Sequence, residues 1–199
     1  MFYRPKDGHG LKFNPFKAIV APRPIGWISS QDKNGVANLA PYSFFQALQD
    51  TPPVICYASA RHKPGFETEK DSVANIRETE EFGVSIVSFD LRNAMNASSA
   101  TLPREVDEFA AAGLKKMAGH VISAPLVEDA PISMECTLRD IIALDATDVV
   151  IGDIVGVHIK DTLLEDGILD ITQYQPLARM GYKDYAVITE VFALERPKA

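Results

Sequence analysis

The stretch APRPIGWISSQDKNGVANLAPYSFF, residues 21–45, predicts a pair of antiparallel strands. Residues 24–30 and 36–40 read as the strands, and QDKNG between them ends in Asn-Gly, which favours the positive φ of a tight turn. The stretch also carries more hydroxyl and amide side chains than a core strand needs. These side chains suit the polar edge of a flat heterocycle, with aromatic residues as its apolar wall. The alternative is ordinary turn chemistry at strand ends, which the stretch taken alone favours. The polar side chains are Ser29, Ser30, Asn38 and Ser43, and the aromatic ones are Trp27, Tyr42 and Phe44.

The rest of the chain predicts further antiparallel strands with a few short helices between them. No Gly-x-Gly-x-x-Gly follows a strand, which argues against a Rossmann fold. A closed or partly closed antiparallel barrel with helical insertions fits better. Strands are predicted at 53–59, 82–88, 131–144, 148–161 and 185–194, with an Asp-Gly hairpin at 163–171. Helices are predicted at 72–81 after an Asp71 cap, in 90–100 with Asp90 as the cap, and in VDEFAAAGL, residues 106–114, ending at Gly113.

Composition sets limits on the function. The chain has 199 residues, 46% of them hydrophobic, and predicts one domain over residues 1–199. The net charge of −7 argues against nucleic acid or an anionic membrane as partner, but a small anion remains possible where basic residues gather. No apolar run reaches the roughly 20 residues of a membrane span, and the N-terminus lacks the apolar core of a signal peptide.

The cysteines and histidines predict neither a disulfide framework nor a metal site. Cys56 and Cys136 lie in apolar strand-like runs without a Cys-x-x-Cys spacing, as expected of buried thiols in a reducing cytoplasm. The four histidines lack metal-ligand spacing. One of them, His158, is interpreted as a packed or surface residue.

A candidate phosphate site lies in SARHKPGFETEKDS, residues 59–72. The basic residues are Arg61, His62, Lys63 and Lys70, and Ser72 supplies a hydroxyl at the start of a predicted helix, where free N–H groups attract anions. The alternative is a solvated charged loop before an ordinary helix cap. Asp71 complicates the hypothesis, because it would repel phosphate; it would rather cap the helix or receive a ligand hydroxyl.

Two more segments carry candidate ligand contacts. NASSA, residues 96–100, places Ser98 and Ser99 at a helix end, and PLARMGYKDYA, residues 176–186, places Arg179 and Gly181 on a loop. A fraying helix end and an exposed loop are the alternatives. The chain shows no Gly-x-Ser-x-Gly elbow, no P-loop and no conspicuous carboxylate pair. An enzyme of this kind relies on a cofactor for its chemistry.

Several stretches in one order resemble the flavin reductase-like, FMN-binding split-barrel family that includes flavoredoxins. They are APRPIGWISSQDKNGVANLAPYSFFQAL, KDSVANIRETEEFGVSIVS, MNASSATLPREVDEFAAAGL, VIGDIVGVHI and PLARMGYKDYAVI, and the match runs from about Phe16 to Pro197. The resemblance implies a mainly β split barrel, a six-stranded antiparallel Greek key with flanking helices. It also implies a homodimer with FMN in a groove at the dimer interface.

The resemblance further implies an enzyme that takes hydride from NADH or NADPH onto flavin and passes electrons to an acceptor or a partner oxygenase. An FMN-binding electron carrier without its own nicotinamide site is the alternative, and a flavin-free interaction module is a third reading. No catalytic side chain is expected beyond the cofactor. The implied FMN contacts are Ser29, Ser30, Asn38, Ser43, Ser59, Arg61, Lys70, Asp71, Ser72, Ser98, Ser99, Arg179 and Tyr185.

Overall fold

The computed structural model describes residues 1–65 and 67–197, and they form a mainly β structure with short helices. The helices are α1 (Phe16–Ile19), α2 (Asp71–Thr79), α3 (Arg92–Ala97) and α4 (Glu108–Ala111), with 3₁₀ turns at Pro5–Asp7 and Asp161–Leu163. The strands are β1 (Arg23–Pro24), β2 (Gly26–Gln31), β3 (Ala37–Tyr42), β4 (Phe45–Asp50), β5 (Pro53–Ala60), β6 (Glu81–Ile86), β7 (Lys116–Met117), β8 (Leu126–Val127), β9 (Ile132–Ala143), β10 (Thr147–Ile159), β11 (Leu164–Glu165), β12 (Ile168–Leu169), β13 (Leu177–Arg179) and β14 (Tyr185–Val187).

One antiparallel sheet of seven strands dominates the fold, in the order β3-β2-β6-β9-β10-β5-β4. A contact between Tyr42 on the edge strand β3 and Tyr57 on β5, with ring centroids 4.7 Å apart, shows that the sheet curls. Its two edge strands, β3 and β4, are not hydrogen-bonded neighbours. The barrel is therefore open along one side. A small sheet, β1-β13-β14, lies beside it and brings the end of the chain back to residues 23–24.

Two hydrophobic clusters lie on the two faces of β2, since successive side chains of a strand point to opposite faces. Trp27 packs with Leu39 and Phe109 in one cluster, and Ile28 packs with Phe82 in the other. The side chains of Trp27 and Ile28 on β2 are both fully buried. A strand buried on both faces has little room for ligand contacts of its own.

Strand β4 is the main element that the sequence did not predict, and it brings the sheet to seven strands instead of six. Its sequence, FQALQD, lacks the alternation that marks a half-buried strand, and in the fold all of its residues except the partly buried Phe45 are exposed. Pairing with β5 holds it in place. The Asp-Gly hairpin is confirmed as β11–β12, with positive φ at Asp166 and Gly167.

Two predicted helix caps are wrong. Lys70, with extended backbone, is the N-cap of α2, and Asp71 is the first helical residue. Helix α3 begins at Arg92 after Leu91, so Asp90 is not its cap. In each case the neighbouring backbone turns into the helix one residue away from the acidic side chain. Helix α4 is shorter than predicted, although Gly113 has the positive φ expected after its end.

The last predicted strand, 185–194, is mostly wrong. Only Tyr185–Val187 pairs, because β13 offers three residues to pair with, and residues 188–197 form neither helix nor strand. Val191, Phe192 and Leu194 are exposed there.

The two thiols are free, as predicted: Cys136 is buried and Cys56 is half-buried. Burial raises the pKa of both, so each stays protonated and unreactive near neutral pH. Within the described residues, no helix has both the length and the apolar character needed to cross a bilayer.

Candidate functional site

Three cavities follow one another around the edge strand β3 and the start of α2. The first, called the cationic cleft, has a volume of about 450 Å³ and is lined by Lys17, Arg23, Ser43, Arg179, Lys183 and Tyr185 with an apolar wall. The second, the helix pocket, holds only about 40 Å³ and is lined by Asn38, Lys70, Asp71, Ser72, Ser98 and Ser99 among others. The third, the outer cleft, has about 590 Å³ and is lined by Lys63, Thr68, Leu102 and Arg104 among others. Ser99 lines the first two, and Lys63 and Asp71 line the last two, so neighbouring cavities adjoin one another.

The helix pocket is built on the N-terminus of α2. The first intrahelical hydrogen bond runs from Ala74 N to Lys70 O at 3.0 Å, so the N–H groups that precede Ala74 in the first turn have no intrahelical acceptor. The N-cap residue is Lys70, whose ammonium group has no acceptor for them, and no side-chain cap is formed. These N–H groups and the helix dipole favour a negatively charged ligand. Ser72 adds a buried hydroxyl, 2.5 Å from the Tyr42 hydroxyl.

Asp71 is neutralised by its neighbours. Its carboxylate forms a close ion pair with Lys63 and lies 3.7 Å from Arg104 Nη1. Among the described residues, Lys70 has no carboxylate within ion-pair distance. Burial lowers the pKa of Lys70, and the charge of Lys63 lowers it further. Lys63, Lys70 and Arg104 carry three positive charges against the two carboxylates of Asp71 and Glu108, which reduces the expected conflict between Asp71 and a phosphate.

Asn38 leaves an acceptor at the same pocket. Its Nδ2 donates to Glu108 Oε1 at 2.9 Å, which sets the orientation of the amide because a carbonyl oxygen there would face a carboxylate. Its buried Oδ1 has no hydrogen-bond partner in the described part of the chain. An unpartnered buried acceptor costs free energy unless a ligand donates to it. Burial raises the pKa of Glu108, although Asn38 and the N–H of Leu39 oppose the shift.

Arginines shape the cationic cleft. The buried Arg23 donates to the carbonyls of Lys17 and Val20, to Met180 O at 2.7 Å, and to Ser43 Oγ at 3.4 Å. It thereby holds α1, the loop after β13 and the end of β3 together. Facing it in the strand register, Arg179 stacks over the Tyr185 ring at 4.4 Å.

Nine of the thirteen predicted contacts lie at these cavities. Asn38, Lys70, Asp71, Ser72, Ser98 and Ser99 meet at the helix pocket, and Ser43, Arg179 and Tyr185 join Ser99 at the cationic cleft. Their role as cofactor contacts stays a prediction. Ser98 is also committed to the core: its hydroxyl accepts from Trp27 Nε1 at 2.8 Å.

The other four predicted residues do not line the cavities. Ser29 is fully buried against Gly83 of the neighbouring strand and its hydroxyl has no hydrogen-bond partner among the described residues, so it points into the core. Ser30 accepts from Asn75 Nδ2 at 3.2 Å, behind the pocket. Ser59 is buried and donates to Ala60 O, and Arg61 donates to Leu144 O at 2.6 Å. The polar groups of these four residues point into the core or are engaged elsewhere in the chain, and their role as cofactor contacts stays a prediction.

The sequence reading missed most of the positive charge around the cavities. Arg23, which lies between two prolines in the quoted stretch, carried a visible signal. The others come together only through the tertiary fold and carried none. The missed cations are Lys17, Arg23, Arg104 and Lys183, and the carboxylate of Glu108 was missed as well.

Comparison with known proteins identifies the family. The family model described as the flavin reductase like domain matches residues 20–178. The chain belongs to this family. A relative from Aquifex aeolicus, an uncharacterised protein, is 34% identical over 168 residues, which cover 84% of this chain and 85% of the relative.

Solved structures of the flavin reductase like domain family share the fold. Nitrilotriacetate monooxygenase component B from Bacillus cereus matches with a TM-score of 0.87 and 30% identity, covering 98% of this chain and 99% of that one. 2-Nitrobenzoate 2-nitroreductase from Pseudomonas fluorescens matches at 0.86 and 27%, covering 99% and 96%. A split barrel domain protein from Shewanella frigidimarina matches at 0.81 and 23%, covering 92% and 90%. The resemblance and the split-barrel fold class are thereby confirmed.

Proposed function

We propose that this protein is an FMN-dependent oxidoreductase that takes hydride from NADH or NADPH and passes the electrons to an acceptor or to a partner oxygenase. The observation that carries the proposal is the helix pocket, where the Ser72 hydroxyl and the open N-terminus of α2 meet Lys70, which pairs with no carboxylate in residues 1–65 and 67–197. The relationship to a monooxygenase component B and to a nitroreductase supports the reaction class.

The residues of the helix pocket fit a phosphorylated flavin. Lys70, Ser72 and the N–H groups of α2 would hold the phosphate, because cations, hydroxyls and helix N-termini are its usual partners. Asn38 Oδ1 would accept a hydrogen bond from an N–H or O–H of the cofactor. Ser43 and Ser99 would position the ring on the side of the cationic cleft.

The protein's own contribution to the reaction is binding and orientation. FMN, when bound, would supply the hydride acceptor and the store for two electrons. The side chains of the cavities hold the reactants in place, and correct orientation alone is worth several orders of magnitude in rate. No side chain of the chain is proposed as nucleophile or general base.

Turnover of reduced nicotinamide tests the proposal. Purified protein with FMN should oxidise NADH or NADPH, and omission of either protein or FMN should reduce the rate to background. A protein that binds FMN but consumes neither nucleotide, and whose flavin is reduced only by dithionite, would instead be the electron carrier. A protein without measurable FMN affinity contradicts both.

We also propose a homodimer. Apolar side chains are exposed on the long strands β9 and β10 and on the extended end of the chain, and a second copy would bury them. They are Ile142, Val155, Val157, Ile159, Val191, Phe192 and Leu194. Light scattering should give twice the monomer mass of 21.8 kDa, and a monomer at micromolar concentration would contradict the proposal.

A further inference from the structure

The cationic cleft holds four positive side chains that the helix pocket does not use. They are Lys17, Arg23, Arg179 and Lys183. None of them forms an ion pair with any carboxylate in residues 1–65 and 67–197, although the chain has 27 acidic residues against 20 lysines and arginines. Like charges gathered around one cavity repel one another and disfavour the folded state unless an anion joins them. An acidic protein that keeps four unpaired cations in one cleft presents a local anion site.

The two arginines are fixed in place by the backbone. They face each other in the β1–β13 register. Burial lowers the pKa of Arg23, and the positive charge of Arg179 lowers it further. Arg179 Nη2 donates to the carbonyl of Tyr182 at 2.6 Å, and Tyr182 has the unusual φ of +54°. A non-glycine residue with this φ costs about 1 kcal/mol or more, and such residues are concentrated at functional sites. Here the turn places Lys183 at the cleft.

A close backbone contact holds the two sides of the cleft together. A Cβ on Gly181 would lie 2.5 Å from Ala18 Cβ and 2.9 Å from Ala18 Cα, so only glycine lets the loop pack against α1. Lys17 and Lys183 are carried on these two packed segments. Their ammonium groups make no hydrogen bond within the described residues, so both remain available to a ligand.

The wall of the cleft is apolar. Ile25, Pro41 and Met95 line it together with Tyr185, and its volume of about 450 Å³ is in the range of small-molecule sites. The cleft therefore combines a surface for a planar or apolar body with cations for a compact anionic group. It adjoins the helix pocket at Ser99.

We propose that the cationic cleft binds the anionic group of the second substrate, the molecule that exchanges electrons with the flavin. This inference rests on the proposed function, in which the helix pocket binds the phosphate of FMN with its own cations. Two kinds of second substrate carry such an anionic group. It is either the pyrophosphate of the nicotinamide dinucleotide or the carboxylate of an aromatic acceptor.

Titrations of the FMN-loaded protein test this site. Benzoate, its neutral analogue benzamide, and ADP-ribose are titrated by calorimetry into the wild type, into Lys17→Ser/Lys183→Ser and into the control Lys6→Ser/Lys115→Ser, whose lysines are exposed and line none of the three cavities. Loss of two charge-assisted contacts should weaken an anion by about 10-fold or more. Benzamide should lose nothing, and the control variant should match the wild type.

The two anions distinguish the sources. A loss confined to ADP-ribose assigns the cleft to the nucleotide, and a loss confined to benzoate assigns it to a carboxylate acceptor; each supports the proposal. Unchanged affinity for both anions in the double lysine variant overturns it. An FMN titration of the same samples separates the two proposals. Normal FMN binding with no anion effect removes the anion site alone, whereas absent FMN binding in the wild type removes the proposed function.

Discussion

Replacing Lys70 with alanine is expected to weaken FMN binding by about 10- to 100-fold, which corresponds to the roughly 1.5–3 kcal/mol of a hydrogen bond to a charged group. Lys70 is the cation of the helix pocket that has no carboxylate partner in the described chain, and it is partly buried, so water screens it less than a surface lysine. Lys63 and Arg104 are engaged with Asp71 and compensate poorly for its loss.

Arg139→Ala is the control for this prediction. Arg139 is an exposed arginine on β9 whose Nε donates to Asp153 Oδ1 at 2.9 Å, and it lines none of the three cavities. Its loss should change the FMN dissociation constant by less than about twofold, as for other exposed ion pairs. Fluorescence titration of FMN measures both variants. Equal effects of the two substitutions would show that the phosphate does not lie at Lys70.

Glu135→Gln is expected to lower the free energy of unfolding by about 3 kcal/mol at neutral pH. Glu135 on β9 is fully buried, and its carboxylate accepts from the N–H groups of His120, Val121 and Ile122 at 2.7–2.8 Å. His158 Nε2 lies 2.6 Å away. Burial alone would raise the pKa of Glu135, but these four partners outweigh burial and lower it from 4.5 to about 2. A glutamine keeps one acceptor oxygen and places an amide N–H₂ among donors.

The pH dependence of this prediction has a definite sign. The pKa of Glu135 is depressed in the folded state, so its contribution is complete above about pH 4.5 and is lost as the pH falls towards 2. Urea unfolding of wild type and variant at neutral pH and at about pH 3 should show the difference shrinking. Glu128→Gln, at an exposed position 3.7 Å from Lys115, should change stability little at either pH. A difference that is small at neutral pH, or that grows on acidification, would contradict this role of Glu135.

One part of the helix pocket, the start of α2, could be predicted because its residues are neighbours in the chain. Lys70, Asp71 and Ser72 stand together at a helix start, and an anion site at a helix N-terminus depends mainly on such local order. The hairpin at Asp166–Gly167 and the alternating strands were predictable for the same reason. Even there, the position of the cap was missed by one residue.

The cationic cleft could not be predicted from local patterns. Arg23 and Arg179 face each other only through the pairing of β1 with β13, which joins segments 156 positions apart. The position of Ser29 likewise depends on packing: its hydroxyl lies where a Cβ on Gly83 of β6 would be only 2.4 Å away, and nothing within residues 24–30 reveals that contact. A polar residue of a strand is therefore a weak predictor of a ligand contact until its neighbours are known.

A crystal structure of the protein with bound FMN tests the account most directly. We predict phosphate oxygens within hydrogen-bonding distance of Lys70 Nζ and Ser72 Oγ, at the start of α2, with the ring towards Ser43 and Ser99. A flavin bound elsewhere, with the pocket at α2 left without it, would contradict the account.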